Sequence, residues 1–268
     1  FNNTFPFWIL TILLLAVVLV AGTEVNGSTR WIKIAGFTLQ ASEVAKVMMA
    51  IFTADYVVRR AEEVRNSVSG LVRLGGVMII TVGLILAEPD LGATAVIVLM
   101  ILGVFFLAGA PAVQFIAFMA FIVVGLIVAI VFEPYRLQRA LSFTNPWADP
   151  LGTGYQLSNA LMAFGRGSWF GQGLGNSVQK LEYLPEAHTD FIFAVIGEEF
   201  GLMGFIVLML LYLLILYRCL HISLQAQNSF ERLLGGALSL TFFFYVFINI
   251  GMVSGILPVV GVPLPLVS

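Results

Sequence analysis

The 268-residue chain is 60% hydrophobic and only 10% charged, with a mean hydropathy of +1.00. Soluble domains hold about 45–50% apolar and about 25% charged residues, so a water-soluble globule is excluded and the chain reads as an integral membrane protein. Its 13 basic and 15 acidic residues leave a net charge of −2, without a nucleic-acid footprint, and the single Cys219 excludes a disulfide framework or a cysteine-cluster metal site.

A membrane helix needs roughly 20 largely apolar residues. Seven segments meet that length in chain order: 6–22, 40–58, 71–87, 91–109, 112–132, 191–217 and 233–254. The fold class expected is therefore all-α and polytopic, because lipid offers no water to an open sheet edge. The first span lacks the basic start and small-residue cleavage site of a signal peptide. The chain starts at Phe1 and stops in the Pro-rich GVPLPLVS, which reads as a fragment of a longer protein.

Connections 59–73 (Arg59, Arg60, Arg65, Arg73) and 217–232 (Arg218, Arg232) are basic. By the positive-inside rule both are cytoplasmic, which puts 23–39, 88–90, 133–190 and 255–268 outside. Several cations oppose this trend on the outer side: Arg30, Lys33, Lys46, Arg136, Arg139, Arg166 and Lys180. An anionic substrate at that face, such as a lipid diphosphate, would account for them. Arg136 and Arg139, three residues apart, suit phosphate oxygens. In the second span Glu43 and Lys46 stand at i and i+3, either as a self-neutralising pair or with the lysine holding a phosphate. Asp90 reads as the N-cap of the fourth span.

The 133–190 connection is far longer than ordinary loops, yet Phe143, Trp147, Tyr155, Phe164, Trp169 and Tyr183 give it material to pack. Leu157, Leu161 and Phe164 predict a helix over 154–167, interfacial or re-entrant, and GQGLGN (171–176) predicts a turn. The loop ends in LEYLPEAHTDFIFAVIGEE (181–199), where Glu182, Glu186, His188 and Asp190 crowd the start of an oily helix. Thr189 or Asp190 can cap that helix. Equally, a carboxylate partly desolvated there can serve as a general base. Glu198 and Glu199 lie two turns deeper and are open between helix packing and function.

The run NPWADPLGTGYQLSNALMAFGRGSWFGQGLGNSVQKLEYLPEAHTDFIFAVIGEE (145–199) resembles the long extracytoplasmic loop of the SEDS family (shape, elongation, division and sporulation). NGSTRWIKIAGFTLQASEVAK (26–46) and AEPDLGATAVIV (87–98) resemble two further family blocks, in order. ADYVVRRAEEVRN and GNSVQKLEYLPEAHTDF resemble the cell-division branch more than the elongation branch. The resemblance covers essentially the whole chain. One departure is Ala41, where the family usually carries Pro.

The resemblance implies a single SEDS membrane domain over 1–268: about seven transmembrane helices of a ten-helix fold, with two N-terminal helices and the last outside this chain. It implies a peptidoglycan glycosyltransferase that polymerises lipid II at the outer face of the bacterial inner membrane, at the division septum. Asp190 matches the family's essential aspartate, and Glu43 and Lys46 match its early Glu and Lys. Lys46, Arg136 and Arg139 are candidates for the leaving diphosphate. Glu186 and His188 would tune Asp190 or hold the acceptor sugar, and Gln172, with Asn145 and Gln156, would hydrogen-bond substrate. No residue cluster demands a metal, although a divalent cation (Mg or Mn) would be able to share the phosphate work. The implied partners are a class B penicillin-binding protein transpeptidase and other divisome proteins, with no nucleic acid. The competing readings are a lipid II flippase and a scaffold that recruits the penicillin-binding protein.

Overall fold

The computed structural model describes residues 4–25, 28–34, 37–132, 134–181 and 184–268. Every predicted span is helical: α1 (Phe5–Ala21), α2 (Ala41–Arg59), α4 (Val68–Ala87), α5 (Leu91–Leu107), α6 (Ala112–Val131), α9 (Ile192–Gln225) and α10 (Ser229–Val253). Shorter helices fill the connections: α3 (Ala61–Asn66), α7 (Pro134–Ser142), a 3-10 turn (Pro146–Ala148) and α8 (Tyr155–Gly167). Among the described residues, α6, α9 and α10 are each long and apolar enough to cross a membrane on their own. The chain is thus a mostly helical, multi-pass membrane protein.

Two expectations need correction. The connection 23–39 folds into a three-stranded antiparallel sheet, β1 (Thr23–Val25), β2 (Ser28–Ile34) and β3 (Phe37–Gln40). The sheet lies in a connection, so the lipid argument against sheets never applied to it. The basic connection expected over 217–232 shrinks to 226–228, because α9 continues past Arg218 and His221 to Gln225. Polar side chains end an apolar run without ending a helix, and Leu, Gln and Arg are good helix formers.

The chain forms two compact units, and their boundaries fall within α6, α9 and α10. The first unit comprises Phe1–Val123 and Cys219–Thr241. In it α1 packs on α2 and α4, and α5 packs on α2 and α4, burying Leu15, Val18, Met49, Met78, Ile97 and Ile101. Polar contacts fix the helix ends. Thr4 donates to Asp55 at 2.6 Å, which also accepts from Arg59 at 2.7 Å. Asp90 caps α5 as expected: its Oδ1 accepts from Ala93 N at 2.9 Å. Its Oδ2 accepts from Ser42 Oγ at 3.0 Å and Gln40 Nε2 at 3.1 Å, tying the start of α5 to that of α2.

Beside it, Glu88 occupies the turn between α4 and α5, outside both helices. Its carboxylate is fully buried, with neither oxygen hydrogen-bonded among the described residues. Burial, and then the negative charge of Asp90, pushes its pKa from 4.5 up to about 8, against the pull of Arg30. Native Glu88 therefore holds its proton where the unfolded chain has released it. The resulting stability is fully present below pH 4.5 and is lost as pH rises to about 8. Glu88→Gln is expected to raise the melting temperature at pH 8.5 and to flatten its fall between pH 5 and 8.5, read by thermal unfolding in detergent. An unchanged slope would overturn this assignment.

The second unit, Val124–Arg218 and Phe242–Ser268, contains most of the long loop. Its core joins Ala160 and Ala163 of α8 to Leu184, Phe191, Phe193 and Ala194 around the start of α9, and to Met252 and Leu264. The turn signals over 171–176 are borne out, with Gly171, Gly173 and Gly175 at positive φ.

The loop is built onto a break in α9. At Gly201 the backbone has φ 63° and ψ −160°, a conformation essentially confined to glycine. The break frees the carbonyls of Glu198 and Glu199 and the N–H groups of Leu202 and Met203, which an unbroken helix would pair with one another. Instead, Gln172 N and Gly173 N each donate to those carbonyls at 3.0 Å, and Leu202 N and Met203 N donate to Ser168 O (2.9 Å) and Trp169 O (3.2 Å). The loop thus repairs the hydrogen bonds that the break opens, the condition for irregular backbone in a membrane helix.

Candidate functional site

The side chains of Glu198 and Glu199 extend this docking. Fully buried Glu198 accepts from Ser177 Oγ at 2.6 Å, Gln179 N at 3.2 Å and Val178 N at 3.3 Å, with Arg166 Nε at 3.5 Å. Glu199 accepts from Lys180 Nζ at 2.7 Å and Ser177 N at 3.4 Å. Of the two roles left open for this pair, the geometry supports the packing one.

Two turns before these anchors, Asp190 stands at the mouth of α9. It is half-buried, between the exposed Thr189 and the buried Phe191. Its carbonyl accepts from Asn249 Nδ2 at 2.7 Å. The approach to it is tight: Glu186 has φ 55°, and its carbonyl accepts from Thr189 N and Phe191 N, both at 3.1 Å. Thr189 donates its hydroxyl to Glu186 Oε2 at 2.7 Å. Glu186 and His188 are exposed on the same turn, where a polar substrate would reach them. A half-buried carboxylate on a pinned backbone beside exposed polar groups is suited to receiving a proton from a bound hydroxyl.

The other predicted site residues are distributed as follows. Gln172 is exposed, and its amide donates to Arg166 O at 2.6 Å, closing the end of α8. Arg136 and Arg139 lie three positions apart in α7, and their side chains fall outside the described residues, as does that of Lys33. In the first unit Glu43 and Lys46 form the expected pair at 2.6 Å, with Lys46 only 5% exposed and Glu43 50%. The pair sets a nearly buried lysine beside a half-exposed glutamate near the start of α2. Among the described residues, no three His, Cys, Asp or Glu side chains gather into a metal cage. A divalent cation held by one or two carboxylates and by substrate phosphates needs no such cage, and no step below passes through one.

Two features escaped the sequence reading. Asn249 is a polar residue in an apolar helix, and nothing in the sequence ties it to Asp190. A cavity of about 400 Å³ opens beside the α9 break, lined by Phe164, Trp169, Phe193, Leu202, Phe205 and Ser254. No local motif marks it, since its walls come from α8, α9 and the end of α10.

Comparison with known proteins converges on one family. The profile of the family described as "Cell cycle protein" (FTSW_RODA_SPOVE) matches residues 2–268. The chain is 64% identical over 271 residues to the "Probable peptidoglycan glycosyltransferase FtsW" of Acinetobacter baylyi, covering 100% of this chain and 68% of that relative. It is 44% identical over 261 residues to the protein of the same description in Escherichia coli O6:H1, covering 96% and 63%. The chain thus spans about two thirds of the length of these relatives. Among solved structures it resembles a chain from "Structural coordination of polymerization and crosslinking by a peptidoglycan synthase complex", at 30% identity and a TM-score of 0.81, covering 99% of this chain and 74% of that one. It also resembles the rod shape determining protein RodA of Thermus thermophilus, at 27% identity and a TM-score of 0.68, covering 99% and 70%.

Proposed function

Since the chain belongs to the FtsW, RodA and SpoVE family of cell cycle proteins, we propose that it is the membrane core of a peptidoglycan glycosyltransferase, which polymerises lipid II during septal cell-wall synthesis. The observation that carries this reading is the half-buried Asp190, placed at the α9 mouth by a loop that α9 itself anchors. The 4-hydroxyl of the acceptor attacks the anomeric carbon of the donor sugar. As the new C–O bond forms, the bond from that carbon to the diphosphate oxygen breaks and the leaving group takes its electron pair. Asp190 receives the hydroxyl proton. Attack opposite the leaving group inverts the α-linkage to β-1,4. Charge builds on the departing diphosphate, and cations already in place stabilise it without reorganisation; Lys46, Arg136 and Arg139 are assigned there. Glu186 and His188 are assigned to the acceptor sugar and Gln172 to substrate hydrogen bonding.

The reaction is placed at the periplasmic face of the bacterial inner membrane. A class B penicillin-binding protein is the proposed partner, crosslinking the strands within a wider set of division proteins. The flippase alternative needs ionisable groups left over to line a path through the membrane. Asp55 is held by Thr4 and Arg59, and Glu198 and Glu199 are held by the loop, which favours the transferase.

The test is to incubate the full-length protein and its partner transpeptidase with fluorescent lipid II in detergent micelles, which have no second leaflet to flip into. Glycan strands are the expected product. Unchanged lipid II in micelles, together with transfer between leaflets in liposomes, would instead establish the flippase.

A further inference from the structure

Asn249 is fully buried in α10, yet its amide reaches two carbonyls from distant parts of the chain. Nδ2 donates to Asp190 O at 2.7 Å and to Val262 O at 2.6 Å. Both of its N–H donors are therefore used, one on the α9 mouth and one on the C-terminal segment. Its Oδ1 is buried without a hydrogen-bond partner among the described residues. A buried polar atom left unsatisfied is costly, so packing alone does not account for an amide here; an apolar side chain of similar size would pack without that cost.

The C-terminal segment that Asn249 holds comes directly against Asp190. A Cβ built on Gly261 would stand 3.3 Å from Asp190 Oδ2, and Gly261 has φ +68°. The carboxylate thus rests against bare glycine backbone, one residue before the carbonyl that Asn249 grips. Tyr212 secures the same segment from α9, donating to Pro265 O at 2.7 Å.

We infer that Asn249 is a positioning residue for Asp190, clamping the α9 mouth to the 261–262 segment so that the carboxylate is held over Gly261 in one orientation. The inference rests on the reading of Asp190 as the general base. A clamp of this kind acts on turnover rather than on substrate affinity, because it sets where the base stands and touches no substrate. Misplacing a catalytic group by about 1 Å costs on the order of 10²-fold in rate.

The test compares the full-length enzyme, with its partner transpeptidase, as wild type, Asn249→Leu, Gly261→Ala and Asp190→Asn. Steady-state lipid II polymerisation and thermal unfolding in detergent are measured for each. Asn249→Leu removes both donors and the orphaned acceptor at similar volume. Gly261→Ala leaves Asn249 untouched and crowds the carboxylate from the other side. Both are expected to lower kcat by about 10²-fold with KM for lipid II near wild type. Wild-type kcat in both, with Asp190→Asn inactive, would overturn the clamp alone. A raised KM with kcat intact would also overturn it, by assigning these residues to binding. If Asn249→Leu fails to fold, Gly261→Ala decides: full turnover there sinks the inference. If Asp190→Asn itself turns over normally, the base assignment falls and the clamp falls with it.

Discussion

Asp190→Asn is expected to reduce lipid II polymerisation by about 10²–10⁴-fold, the usual contribution of a general base, while the protein melts as wild type and still binds its partner transpeptidase. The substitution keeps the size and shape of the side chain and removes its ability to take a proton. It also leaves the contact with Asn249 intact, because Asn249 binds the main-chain carbonyl of Asp190 and not its carboxylate. A loss of rate would therefore report proton transfer rather than a disturbed helix mouth. In barrier terms it corresponds to roughly 3–5 kcal/mol.

The opposite result has a definite reading as well. Near-normal polymerisation by Asp190→Asn would reduce Asp190 to a helix cap, since an asparagine caps as well as an aspartate. The search for the base would then move to Glu186, exposed one turn earlier, and to Glu43, which pairs with Lys46. Glu198 would not be next in line. Its carboxylate is fully buried and already accepts three hydrogen bonds from the loop.

The helices were legible because an apolar run of about 20 residues leaves few other structures available in lipid. Asp90 and the Glu43–Lys46 pair were legible for a related reason: both are interactions within one helical turn. Misreadings began where the signal left the membrane. The apolar signal of the sixth span ends at Arg218, although a helix projecting into water loses its apolar character and keeps its hydrogen bonds. The strands within 23–40 are short and give little pattern to set against a loop. The break at Gly201 was invisible, since an isolated glycine inside a helical pattern is ordinarily tolerated. What opens it is the supply of partners from residues 168–173, some thirty positions upstream. The roles of Glu198 and Asn249 were hidden in the same way: sequence shows that a polar group sits in an apolar helix, while its partners, at Ser177 or Val262, are fixed only by the fold.

Glu198→Ala is expected to destabilise the second unit by several kcal/mol, at about 1–3 kcal/mol for each buried donor left without its acceptor. The deletion strands several groups at once. The Ser177 hydroxyl and the N–H groups of Val178 and Gln179 lose their acceptor in a buried place, and Arg166, 3.5 Å away, loses its counter-charge. Glu198→Gln keeps one carbonyl oxygen for these donors and loses the charge, so its cost is expected to be smaller, about 1–3 kcal/mol. Thermal unfolding in detergent measures both. Trypsin supplies the structural readout: Lys180, held by Glu199 at 2.7 Å, becomes a faster cleavage site once the loop leaves α9. If Glu198→Ala melts and resists trypsin like wild type, the backbone exchange at the Gly201 break is sufficient to dock the loop by itself. If Glu198→Gln polymerises lipid II at the wild-type rate while melting lower, Glu198 belongs to the scaffold that carries Asp190. A loss of turnover at unchanged stability would return this buried carboxylate to the chemistry.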